Sequence, residues 1–164
     1  MTGDVIVGID PGANGALAAV EEKRDGGGDA LFYPVLYNVE NFIAVLKDLR
    51  IHHWNVYACV ENVHAMPKQG VSSMFTFGKN FGIILGILNA LRIPYYLVGP
   101  RVWTGYWNLT SDKSGHIARA NELFDMQLKR TPRCKKQHDG MADALLIAEY
   151  GRRNLSTLQE KSGK

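Results

Sequence analysis

The sequence predicts an α/β domain built on a mixed five-stranded sheet flanked by helices. Three observations predict it. Three short apolar or β-branched runs open the chain in succession, with turn chemistry between them. Two further runs, at 56–61 and 95–98, are each preceded by a segment with helical spacing. The remainder, from Pro100 onward, reads as helices and loops only.

Asp4 to Asp10 (DVIVGID) is a short, β-branched, apolar run that ends in an acid and reads as a buried central strand. Pro11, Gly12, Asn14 and Gly15 make a turn into a second strand, 16–20. A polar, glycine-rich connection leads to a third, 30–37, so the opening reads as an antiparallel meander. Asn38 is placed to cap a helix carrying Phe42, Ile43, Val45, Leu46 and Leu49. Val56 to Glu61 is a strand that again ends in an acid, and 62–73 a loop. A long helix is expected over 74–91, a strand over 95–98, and a helix from Pro100 to about Trp107. Two more helices are expected over 114–124 and from Asp139 to about Arg153. Residues 1–153 are then one domain, and 154–164 a flexible tail. The order β-β-β-α-β-α-β-α-α-α is the layout of the ribonuclease-H-like fold.

Composition sets bounds. The 164 residues fit a single domain, which can bury about 70% of the surface its unfolded form exposes. No apolar run in the sequence suggests a membrane span, and the N-terminus lacks a secretory layout, so a cytoplasmic location is expected. Cys59 lies in an apolar run and Cys134 in a basic loop, which argues against a bridge between them, and no zinc spacing occurs. The net charge is +3, yet Lys129, Arg130, Arg133, Lys135 and Lys136 carry five positive charges with no acid among them, leaving −2 elsewhere. Alone, such a run reads as a solvated loop; beside a site that handles polyanions it would read as a phosphate-binding surface.

Four acids carry the chemistry. Asp10 and Glu61 each close a strand; if both strands are central and parallel, both carboxylates emerge at one sheet edge. Asp139 and Asp143 are four apart at the start of the last helix and share a face. Clustered carboxylates repel unless a cation lies among them, and hard oxygen ligands without thiolates select Mg²⁺, with Mn²⁺ as a substitute. Two ions about 3.5–4 Å apart would serve phosphodiester hydrolysis. The plain alternative is that each acid is a turn former, or, for Asp139, a helix-dipole acid. Asp4, Glu21, Glu22, Asp48, Asp112, Glu122 and Asp125 read as surface charges.

The segments Gly8-Ile9-Asp10-Pro11-Gly12, Val60-Glu61-Asn62-Val63 and His138-Asp139-Gly140-Met141-Ala142-Asp143-Ala144-Leu145 resemble RuvC-like Holliday-junction resolvases. The stretch 61–77 is especially similar to the versions encoded by bacteriophages, and the resemblance runs from Val5 to about Gly151. It implies a homodimer that nicks paired strands of a four-way DNA junction with Mg²⁺, and it implies Asp10, Glu61 and Asp143 as metal ligands. In the bacterial enzymes the last two ligands lie three apart, which would select Gly140 here; Asp139, at four, is taken instead, with His138 as the alternative. Lys113 matches a basic residue near the scissile phosphate, where an ammonium offsets developing charge. Thr104 falls where the bacterial family often has another lysine. His64 falls where an aromatic ring touches bases at the crossover, and imidazole can stack likewise.

Further DNA-binding candidates are Lys68 and Arg101, with Lys79 and Arg119 behind them. Trp103 and Trp107, at i and i+4, read first as packing. Gly78, Gly82 and Gly86 form a small-residue stripe, either for close packing on the protein's own sheet or for a helix pair across a dimer. Other readings stay open: a flap, fork or RNA-hybrid nuclease of the same fold; an actin-like or sugar-kinase-like ATP-binding domain; and a catalytically inactive junction-binding protein.

Overall fold

A computed structural model describes residues 3–12, 14–22, 28–36, 38–53, 55–62, 70–128, 133 and 136–162. Its strands are β1 (Val5–Ile9), β2 (Ala16–Glu22), β3 (Gly28–Leu36), β4 (Val56–Glu61) and β5 (Tyr95–Val98). They form one five-stranded sheet in the order β3-β2-β1-β4-β5. The meander pairs antiparallel, whereas β1–β4 and β4–β5 are parallel. Each parallel pair requires a crossover. Helix α1 (Val39–His52) supplies the first, and α2 (Val71–Ala90) supplies the second. After β5 come α3 (Pro100–Tyr106), α4 (Lys113–Phe124), α5 (Asp139–Arg153) and α6 (Leu155–Ser162).

Alternation along the strands divides the apolar side chains between two faces. Val5, Val7 and Ile9 join Leu17, Ala58 and Val60 under Phe42, Leu46 and Leu49 of α1 and Ile84 and Leu88 of α2. Ile6, Ala18, Val20 and Cys59 face the other way, onto α5 and its neighbours. Helix α5 is buried from Gly140 through Gly151 because it lies directly on the central strands. Gly8 permits that approach: a Cβ there would run into the carbonyl of Ala144 and the amide of Ala148. Cys59 is a free, buried thiol, pushed up to about 12 by burial.

Local signals explain the helix starts. The Asn38 side chain accepts from the amides of Glu40 and Asn41, and that of Asp112 from Ser114. Pro100 occupies the first turn of α3, where its missing N–H costs nothing.

Three expectations are corrected. Leu155–Ser162 is helix α6, not a tail; Leu155 and Leu158 pack against the core, so apolar contacts extend past Arg153. Helix α2 starts at Val71 rather than Met74, and by length and composition it could cross a membrane, with a mean hydropathy of 1.4. Lastly, the glycine stripe does not pack on the sheet: a Cβ at Gly78, Gly82 or Gly86 would meet nothing within 4 Å.

Candidate active site at the carboxyl edge of the sheet

Strand register sets the first two acids side by side. Ile9 pairs with Val60 in the parallel β1–β4 ladder, so Asp10 and Glu61 leave neighbouring strands at the same edge. The amide of Gly12 donates to Asp10 Oδ1 at 2.9 Å, which holds the carboxylate over the turn. Trp103 of α3 donates its indole N–H to Glu61 Oε1 at 3.0 Å.

Helix α5 brings Asp143 under this edge, 5% exposed. Asp143 Oδ2 lies 2.5 Å from Lys113 Nζ, and its Oδ1 lies 2.5 Å from His116 Nδ1. The charge of Asp143 reaches both Asp10 and Glu61, and that of Asp139 reaches Asp10. Burial first, then the like charges of Asp10 and Asp143, raise Glu61 from 4.5 to about 7 against the opposing Trp103 hydrogen bond. Asp10 rises from 3.8 to about 6, mainly through burial and against the opposing Gly12 hydrogen bond. Lys113 is held above its ordinary value: burial works against its charge, and the hydrogen bond and charge of Asp143, with Asp10 and Asp139, more than offset that. The four expected acids therefore share one electrostatic neighbourhood. They are not drawn to coordination distance: among the described residues no three His, Cys, Asp or Glu side chains stand close enough to hold one ion. The donors are all oxygens, a set that suits a hard divalent cation.

The departure at the start of α5 has a steric cause. A Cβ at Gly140 would strike the carbonyl oxygen of Asn14 in the β1–β2 turn. A ligand three residues before Asp143 is thereby excluded, and the acid stands one step earlier, at Asp139. His138 is the N-cap of α5, its Nδ1 accepting from the amide of Met141 at 3.3 Å.

Other expected residues divide. Arg101 is exposed on α3, which starts just beyond the same sheet edge, and Lys79 is exposed on α2. Arg133 and Lys136 are exposed in the basic loop. That loop is tied at its base: Gln137 Oε1 accepts from the amide of Leu128 and the side chain of Asn121, and His138 N–H donates to Leu128 O at 2.6 Å. Its start and end are thus pinned beside α5. His64, Lys68, Lys129, Arg130, Cys134 and Lys135 lie outside the described residues. Arg119 is drawn into structure instead, bonded to Glu122 at 2.7 Å and stacked over Trp107. Thr104 Oγ1 bonds back to Pro100 O, inside its own helix.

Sequence reasoning missed His116 and Gln137, and missed that Trp103 reaches Glu61. For His116 and Trp103 the signal was a polar atom on a residue of an apolar helix face, which a tertiary partner must satisfy; the loop residue Gln137 carried none. A cavity of about 320 Å³, lined by residues including Arg50, His53, Tyr57 and Arg92, lies by the amino end of β4, away from the carboxylates.

A mixed sheet with acids at the carboxyl ends of its adjacent parallel strands β1 and β4 has the ribonuclease-H-like fold. Solved structures share this fold with the chain. A Thermus thermophilus RuvC in complex with a Holliday junction substrate is 21% identical, with a TM-score of 0.64 over 93% of this chain and 96% of that one. Thermus thermophilus RuvC by itself is 23% identical, with a TM-score of 0.58 over 92% and 96%. The yeast mitochondrial Holliday junction resolvase Ydc2 is 14% identical, with a TM-score of 0.59 over 94% and 80%. No family model and no curated protein sequence matches the chain.

Proposed function

We propose that the protein is a divalent-metal-dependent DNA endonuclease that resolves four-way junctions by paired, symmetric nicks. The observation that carries this reading is the convergence of Asp10, Glu61 and Asp143 from two strands and a helix, with Lys113 beside them, on the fold of the junction resolvases. Asp10, Glu61, Asp143 and Asp139 would hold Mg²⁺ or Mn²⁺, whose chemistry is to activate water and to stabilise the departing oxygen. The elevated Asp10 and Glu61 fit that role, because ionising both without a cation is costly.

The chain's own residues supply the rest. Lys113 neutralises Asp143 and stands where an ammonium can offset charge developing on the phosphate. The loop carrying Lys129, Arg130, Arg133, Lys135 and Lys136, together with Arg101, Lys68 and His64, would bind the junction's strands. Two symmetric cuts need two related sites, which a two-fold dimer supplies. Helix α2 suits that interface: its glycine stripe is open, and Val71, Met74 and Phe75 are exposed apolar residues on it.

The test is cleavage of a synthetic four-way junction and of linear duplex, with and without Mg²⁺, by wild-type protein and Asp10→Asn. Paired nicks confined to the junction, dependent on Mg²⁺ and lost in Asp10→Asn while junction binding survives, are the expected result. Equal cutting of linear duplex removes the junction specificity; full activity of Asp10→Asn removes the mechanism.

A further inference from the structure

Two buried aromatic side chains approach the carboxylates from the core side. Trp103, 1% exposed, ends at Glu61 Oε1. His116, 3% exposed, sets Nδ1 against Asp143 Oδ1 and Nε2 2.8 Å from the carbonyl oxygen of Thr110. The two rings meet edge to face, with centroids 5.6 Å apart and planes at 87°. A carbonyl oxygen only accepts, so Nε2 carries a proton. Another proton lies between Nδ1 and Oδ1, whichever atom holds it, because two bare lone pairs would repel at 2.5 Å.

Each carboxylate is thus held on one oxygen by a buried ring. Trp103 takes Oε1 of Glu61, leaving Oε2; His116 takes Oδ1 of Asp143, and Lys113 takes Oδ2. Edge-to-face packing locks the rings to each other, so one rigid unit spans α3 and α4 and braces acids from β4 and α5. We propose that Trp103 and His116 are a coupled pair of positioning residues, holding the orientations of Glu61 and Asp143 in the metal-free protein so that a divalent cation has to displace Lys113 and draw the acids together but not reorient them. The inference rests on the reading of these acids as cation ligands. It also accounts for polar atoms on the buried faces of α3 and α4, where plain packing would call for apolar side chains.

The experiment is Mn²⁺ binding followed by electron paramagnetic resonance on the full-length protein without DNA, with thermal unfolding in chelator as a control on the fold. Trp103→Phe keeps a buried ring but loses the N–H, and should weaken Mn²⁺ binding about tenfold with the melting temperature in chelator nearly unchanged. His116→Leu should do the same. His116→Asn, whose amide N–H can stand near Nδ1 and donate to Asp143, should restore most of the affinity. Wild-type protein that binds no Mn²⁺ overturns the metal reading itself. Wild-type binding with Trp103→Phe unchanged overturns the pair, and so does His116→Asn binding no better than His116→Leu. Should His116→Leu not fold, Trp103→Phe alone decides.

Discussion

Replacing Glu61 by glutamine should disable the site and at the same time stabilise the protein. Gln keeps an oxygen where Oε1 accepts from Trp103, so the hydrogen bond survives while the charge goes. Glu61 titrates at about 7 in the folded chain, against 4.5 ordinarily, through burial and the charges of Asp10 and Asp143. The folded protein therefore holds this proton more tightly than the unfolded chain does, and ionising Glu61 costs stability. That cost is absent below about pH 4.5, grows between there and pH 7, and is complete above. At about 1.4 kcal/mol per pH unit it reaches about 3 kcal/mol. Glu61→Gln should then be more stable than wild type by up to about 3 kcal/mol at pH 8 in chelator, and nearly equal to it at pH 4.5. Urea denaturation at both pH values, at fixed protein concentration, measures the difference. Added Mg²⁺ should stabilise the wild type more than the variant. A variant no more stable than wild type at pH 8 would refute the account of a strained, cation-requiring carboxylate.

The cleavage rate should fall on the acid side as pH drops through about 7 and then about 6, the values for Glu61 and Asp10, which titrate as a coupled pair. Raising Mg²⁺ should move that limb to lower pH, because the cation competes with protons; a limb insensitive to metal would count against shared ligation. Gly8→Ala should destabilise the fold by about 3 kcal/mol or more, since its Cβ would meet α5 backbone that cannot shift cheaply; denaturation midpoints check this. Gly82→Ala meets only open space and should stabilise α2 by up to about 1 kcal/mol. If α2 forms the dimer interface, the same change should weaken self-association in sedimentation velocity, and an unchanged dimer would place the interface elsewhere.

The carboxylates were legible in the chain because local chemistry marks them: a β-branched run fixes a strand, and an acid closing it must emerge at the strand's end. Two acids four apart at a helix start share a face whatever the helix packs against. The order of elements likewise implied a mixed sheet, since a meander followed by crossovers leaves few arrangements. What the sequence could not carry was every relation between distant residues. That β1 and β4 are neighbours in parallel register, that Gly140 must be bare beneath Asn14, and that His116 and Trp103 end on Asp143 and Glu61 are facts of packing. A histidine or tryptophan on an apolar helix face has the same periodicity whether its polar atom meets a ligand carboxylate or a carbonyl. Only the tertiary structure selects the partner, because the hydrogen bond closes between segments that the chain itself holds 27 or 42 residues apart.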